Sequence, residues 1–298
     1  MENFTLILGL MLLGKGLSRL AVFPKESAKA FNLYVVYVAL PALILLKVPG
    51  LTLSGQLLVP ILMPWVMLAV SGLLVLALAR ALHWPRHTTG ALLLTVPLGN
   101  TSFLGIPMVK AFFGSDQIPF AILYDQLGSF LALATYGTVV LAAYGSAERL
   151  TAGALIRRIC TFPPFLALAL ALATSPLPRP EPLDAMLEAV AVSLVPVVMV
   201  AVGFQLKLRL SPGELTPLGL GLFVKLVAAP LVALAGCHLL GLHSLAAKVA
   251  VFEAGMPPMI TAGALALIAG LAPELTAALV GMGIVASFVT LPLLAQLL

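Results

Sequence analysis

Along most of the chain, apolar residues follow one another with neither the alternation of a strand nor the one-sided stripe of a surface helix. The window from Leu57 to Ala79 is apolar all the way round, which is what a helix needs when lipid, not water, is its solvent. A window of about 19 residues predicts roughly ten membrane spans, at about residues 4–21, 29–47, 56–81, 88–112, 117–144, 154–174, 184–205, 215–240, 243–269 and 274–297. Connections between them are short, with no room for a soluble domain. The most proline-rich one, Ser175 to Pro182, falls at the centre of the chain.

Composition agrees with that pattern. Of 298 residues, 61% are hydrophobic and 9% charged, and the mean hydropathy is +1.15. A soluble domain carries about 25% charged residues and cannot hide so much apolar surface. The fold class expected is therefore an all-α polytopic membrane protein in the cell (inner) membrane, with the lipid bilayer as its surroundings. The first apolar stretch lacks a basic leader and a convincing cleavage site, so it is expected to stay in the mature protein.

A net charge of +5 raises the question of nucleic acid. The basic residues come in small groups between apolar runs, without aromatic interleaving, so no nucleic-acid partner is expected. They fit topology better. Arg19, Lys25 and Lys29 flank the first connection, Arg80 and Arg86 the third, Arg149, Arg157 and Arg158 the fifth, and Lys207 and Arg209 the seventh. Lys47, Lys110, Arg179 and Lys248 are the few near even-numbered connections. Basic residues collect on the cytoplasmic side, which puts the odd connections inside and both termini outside.

Cys160 and Cys237 sit in apolar runs with no CxxC spacing, and His83, His87, His238 and His243 lie at span ends instead of pairing on one face, so no metal site and no disulfide framework are expected. GxSxG, HExxH and GxxxxGK[ST] sequences are absent, which argues against an enzyme, against ATP-driven transport by this chain and against a cofactor.

The proline-rich centre invites a comparison of residues 1–150 with 151–298. An offset of 155 residues carries Glu26, Pro41 and Thr101 onto Glu181, Pro196 and Met256. Two Gly/Pro-interrupted stretches correspond in the same way: Val96 to Pro107 in span four and Glu253 to Gly263 in span nine. Proline removes a backbone donor and glycine resists unwinding little, so both spans are expected to break, and Pro41 and Pro196 to kink spans two and seven. Five spans per half would make the second copy enter the membrane the other way round. Inverted repeats with broken helices are a transporter pattern, and a half-helix N-terminus beyond a break suits a carboxylate. Candidate substrate-binding residues are thus Pro97, Gly99, Asn100, Thr101, Ser102 and Gly105, with Met256, Pro257, Pro258 and Thr261.

Ionisable residues within spans are costly and mark ion pathways or helix pairs. Asp125 in span five, Glu253 before the second break and Lys225 in span eight are candidates for a coupling or charge network, either acid alternatively pairing with Lys110, Lys225 or Lys248. Lys225 in span eight is expected to reach for the inner face.

Gly-Asn-Thr-Ser-Phe-Leu-Gly-Ile-Pro at 99–107, Tyr124-Asp125-Gln126-Leu127-Gly128, Val38-Ala39-Leu40-Pro41-Ala42 and Ala254-Gly255-Met256-Pro257-Pro258 resemble the auxin efflux carrier family, whose fold resembles that of bile acid:sodium symporters. The resemblance runs over essentially the whole chain. It implies ten helices in two inverted five-helix repeats, a scaffold from spans 1, 2, 6 and 7, a mobile domain from spans 3 to 5 and 8 to 10, and crossing of helices four and nine. It also implies that Asn100 meets a substrate carboxylate; where the family often carries a second asparagine, this chain has Thr261. The function expected is secondary transport of a small organic anion, a carboxylate, dicarboxylate or auxin-like molecule. A channel or sensor with the same fold and a sodium-coupled bile-acid-like symporter are the alternatives. Proton, sodium or potential coupling, and monomer or homodimer, stay open.

Overall fold

A computed structural model of the chain describes residues 2–24, 26–49, 55–145, 152–175, 177, 179–206 and 214–298. Lys25, Arg149, Pro176, Pro178, Lys207 and Arg209, and the side chain of Arg158, lie outside the described residues. Among those residues the chain is helical: α1 Glu2–Leu17, α2 Ser27–Lys47, α3 Gly55–Ala81, α4 Arg86–Thr95, α5 Thr101–Phe113, α6 Ser115–Tyr144, α7 Ala152–Cys160, α8 Pro163–Ala173, α9 Glu181–Gln205, α10 Leu215–Leu239, α11 Leu245–Ala254, α12 Ile260–Ile268 and α13 Pro273–Leu297. No strand occurs there, and a single isolated bridge is the one β-type contact. Six helices (α2, α3, α6, α9, α10 and α13) are long and apolar enough to cross a membrane, and α1, α5 and α8 are shorter apolar helices.

The expected fourth span is α4 followed by α5, and the ninth is α11 followed by α12. Ten residues of helix rise roughly 15 Å, about half the hydrocarbon thickness, so α4 and α11 are half-spans by length. Both breaks are narrower than the sequence pattern suggests. Only residues 96–100 and 255–259 leave the helix, while Ile106, Pro107, Thr261, Ala262 and Gly263 are helical.

Prolines shape the long helices as well. Five-residue wide turns, with backbone bonds reaching one residue further than in an α-helix, occupy Val35–Ala39, Thr101–Gly105 and Val224–Ala228, each ending two residues before a proline: Pro41, Pro107 and Pro230. In each, the amide before the proline bonds five residues back: Leu40 to Val35, Ile106 to Thr101, and Ala229 to Val224. Widening the turn lifts the carbonyl that the proline ring would otherwise strike. Pro196 is accommodated differently, by a turn at Val192 and Ser193 that interrupts α9.

Packing divides these elements. α1 lies along α9, and α8 and α9 pack on α2. α3 packs on α6 and α11, α4 on α6, α12 and α13, and α10 on α11 and α13. Within the first group, Gly14 and Gly203 let α1 and α9 touch backbone to backbone, against Val200 and Met11. Polar groups tie its helix ends. Lys15 Nζ donates to the Leu206 carbonyl at 2.6 Å, and Arg179 donates to the carbonyls of Leu45 and Leu46 while pairing with Asp184 at 3.0 Å. Cations at the C-terminal ends of α9 and α2 complement the carbonyls left open there.

Candidate functional site

The two breaks meet. Gly99 and Pro258 face each other as an antiparallel pair. The Asn100 N–H donates to the Pro257 carbonyl at 2.8 Å, and the Met259 N–H donates to the Leu98 carbonyl at 2.9 Å. Unwound backbone inside a membrane protein needs internal partners, and here each break supplies the other's. Some of the amides expected to face a pocket are therefore spent on the crossing itself. What is left is the first turn of each following half-helix: α5 and α12 both begin at the crossing, and helix geometry leaves their leading N–H groups without intrahelical acceptors.

Asn100 stands at the head of α5. Its carbonyl accepts from Leu104 at 3.2 Å and Gly105 at 3.0 Å. Its side chain is buried, yet the amide nitrogen Nδ2 has no partner among the described residues. A buried donor without an acceptor costs about 1–3 kcal/mol, so the open Nδ2 is a place for a water or a ligand oxygen to bind.

The neighbouring hydroxyls are committed elsewhere. Thr101 Oγ1 donates to Asp125 Oδ1 at 2.5 Å, Gln126 Nε2 donates to Asp125 Oδ2 at 2.6 Å, and Ser102 also hydrogen-bonds this carboxylate. Thr101, Asp125 and Lys225 all sit in wide turns, which recur at functional positions because they turn side chains out of the regular helical register. Lys225 does not reach the inner face. It is 4% exposed, and Nζ instead approaches the Ala254 carbonyl at 3.5 Å, at the C-terminal end of α11 and beside Gly99. Burial there is compensated by the open carbonyls and negative dipole end of α11. Glu253 is fully buried against Gly105. The expected pairing of Asp125 or Glu253 with Lys110, Lys225 or Lys248 is not formed, since the ion pair present among the described residues joins Arg179 to Asp184.

Beside the crossing, a cavity of about 430 Å³ lies between the two packing groups, lined by Lys29, Asn32 and Val36 of α2, Gln205 of α9, Phe103 of α5 and Thr261 of α12. Gln205 Nε2 reaches Asn32 Oδ1 at 3.5 Å. Thr261 is the one residue of the expected binding set on this cavity; Met256, Pro257 and Pro258 are buried in the crossing, and Pro97 and Gly105 are buried beside it. Lys29, Asn32 and Gln205 went unnoticed as site residues in the sequence. The signal for the first two was their spacing of three residues, which puts Lys29 and Asn32 on one face of an otherwise apolar span. A smaller cavity of about 90 Å³, touched by Lys47, Lys110 and Glu188, lies near the other end of α2. The histidines were expected apart, but the turn at Leu240 to Leu242 folds His238 and His243 together with ring centroids 5.3 Å apart.

A family model described as "membrane transport protein" matches residues 1–295. The chain belongs to that family. Members of the membrane transport protein family similar to it include an uncharacterized transporter of Methanothermobacter thermautotrophicus, 28% identical over 98% of this chain and 96% of the relative. Another, from Methanocaldococcus jannaschii, is 26% identical over 86% of this chain and 85% of the relative. Membership in this transport family, of the auxin efflux carrier type, bears out the family resemblance and agrees with the multi-pass helical architecture.

Proposed function

We propose that this member of the membrane transport protein family is a secondary carrier of a small organic anion, a carboxylate, dicarboxylate or auxin-like molecule, working by alternating access in the cell membrane. The observation that carries this reading is the crossing itself: two broken helices pair at Gly99 and Pro258, two half-helix N-termini converge, and the Asn100 amide is left as a free donor. Positive dipole ends and an uncharged donor suit a carboxylate that has to be released again.

The repeat organisation is part of the proposal. Residues 1–150 and 151–298 each run as a short apolar helix, two long spans, a broken span and a long span, with α7 preceding the short α8 in the second half. Ten membrane passes in two inverted five-helix repeats account for that order. The α1, α2, α8 and α9 group would be the scaffold, and the remaining spans the moving part. The cavity beside Phe103 and Thr261 lies on the boundary between them; a substrate entering it would meet Lys29 and Thr261 first, and would reach the buried Asn100 amide and the first turns of α5 and α12 only on moving deeper into the crossing. With odd connections inside, the larger cavity opens inward and the smaller marks the closed outer path. Thr101 and Ser102 act through Asp125, and Pro41 and Pro196 shape the scaffold helices beside the site.

The test is a thermal-shift screen of mono- and dicarboxylates on purified protein, followed by counterflow of the best ligand in proteoliposomes. A ligand that binds only the folded state raises its melting temperature. A carrier exchanges labelled for unlabelled ligand. Flux without trans-stimulation means a channel, a chemically altered ligand means an enzyme, and either result ends the carrier reading.

A further inference from the structure

Three ionisable side chains are buried together beside the crossing, and the fold treats them unequally. Asp125 receives donors on both oxygens, from Thr101 and Gln126, as an ionised carboxylate requires. Lys225 lies at the carbonyl end of α11, where an ammonium is at home. Glu253, one residue before Ala254, is 0% exposed, and neither of its oxygens has a hydrogen-bond partner among the described residues. One ammonium balances one carboxylate, and Asp125 has the donors to be that carboxylate. A second buried anion with no donor would be far costlier than a neutral carboxylic acid.

We propose that Glu253 is a proton-binding site, holding one proton in the state seen here and releasing it to water when the crossing is wetted. On the carrier reading, which this inference needs only for its transport consequence, anion movement is then coupled to protons and not to sodium. The surroundings of Glu253 point the same way. A metal cation needs a shell of several oxygens, whereas Glu253 packs against the bare α-carbon of Gly105, where a methyl would stand 2.6 Å from Oε1. Lys225 adds positive charge that would repel a second cation. From α6 the groups facing Glu253 are Asp125 and Tyr124, and from α10 Lys225. Lys110 of α5 and Lys248 of α11 line other cavities, Arg80 at the end of α3 is exposed, and Glu274 of α13 lies beside Glu214.

The direct test is pH-dependent infrared difference spectroscopy of the full chain in nanodiscs. At neutral pH the C=O stretch of a protonated carboxylic acid is expected in the wild type, and is expected to vanish in Glu253→Gln, or in Glu253→Leu should the amide variant not fold. No such band in the wild type, or an unchanged band in the Glu253 variants, overturns the proposal. Melting curves give an independent reading. The wild-type melting temperature should fall between pH 6 and pH 9 while that of Glu253→Gln changes less, and replacing choline by sodium should shift neither. A sodium-induced rise that disappears in Glu253→Gln would instead make this a sodium site. Absence of counterflow with the band present would sink the carrier reading alone; counterflow without the band would sink the proton site alone.

Discussion

Gly99 and Pro258, 159 residues apart in the chain, are directly opposed where the two broken helices cross, and the backbone bonds on either side of them hold the crossing together. Met259 has φ of −66°, which a proline would accept, so Met259→Pro keeps the local backbone angle but replaces the N–H by a ring carbon directed at the Leu98 carbonyl, which must move away. The Leu98 carbonyl would then lack its partner. With the clash added to the lost bond, the expected loss is about 3 kcal/mol or more, seen as a lower melting temperature in detergent, with Met259→Leu close to wild type.

Asn100→Ala removes a buried donor that has no partner in this state. Stability should change by less than about 1 kcal/mol or increase, unlike the usual cost of deleting a buried polar group. Ligand-induced thermal stabilisation should disappear. A variant that keeps the full ligand shift would take Asn100 out of the site.

Thr101→Val deletes a hydroxyl donor to a buried carboxylate, a bond of 2.5 Å. Hydrogen bonds to charged groups are worth about 1.5–3 kcal/mol, and that is the expected destabilisation. In an Asp125→Asn background the same substitution should cost clearly less, which a double-mutant cycle of melting temperatures measures.

A methyl on Gly14 would stand 2.8 Å from the Val200 carbonyl carbon, and one on Gly203 would stand 2.7 Å from that of Met11. Backbone cannot yield as a side chain can, so Gly14→Ala and Gly203→Ala should each destabilise by about 1–3 kcal/mol. Small residues at such crossings let helices in lipid approach closely. The double variant should lose less than the sum, because the first methyl already separates α1 from α9. Gly9→Ala, with nothing near its Cβ position, is the neutral control.

Glu214, just before α10 and outside the spans, is pushed above the usual carboxylate range, first by burial and then by Glu274, with His87 and the Leu275 backbone partly opposing. The folded state thus holds this proton more tightly than the unfolded one, so stability falls as pH rises from the ordinary carboxylate value through the raised one. Glu214→Gln should melt higher than wild type at pH 8. The difference should close at pH 4, where both states keep the proton; a constant difference across that range would show that titration is not its cause.

Much of this was legible in the chain. All-round apolar windows gave the helices, because in lipid every face of a helix must be apolar or paired. Glycine and proline located the two breaks, because their effect on the backbone is local. That same locality explains what stayed hidden. Which residue of one break opposes which residue of the other depends on how the intervening spans pack, so the Gly99–Pro258 register and the narrowing to residues 96–100 and 255–259 came only from tertiary structure. A lysine in an apolar span can turn outward or inward; the open carbonyl end of α11 decided for Lys225. Asp125 and Glu253 looked alike as buried acids, and only neighbours distant in sequence gave one its donors and left the other with none. Sequence determines where a backbone must bend and what it must bury, because those are properties of adjacent residues; the partners of each buried polar group are chosen by contacts between segments far apart, and only the assembled fold fixes them.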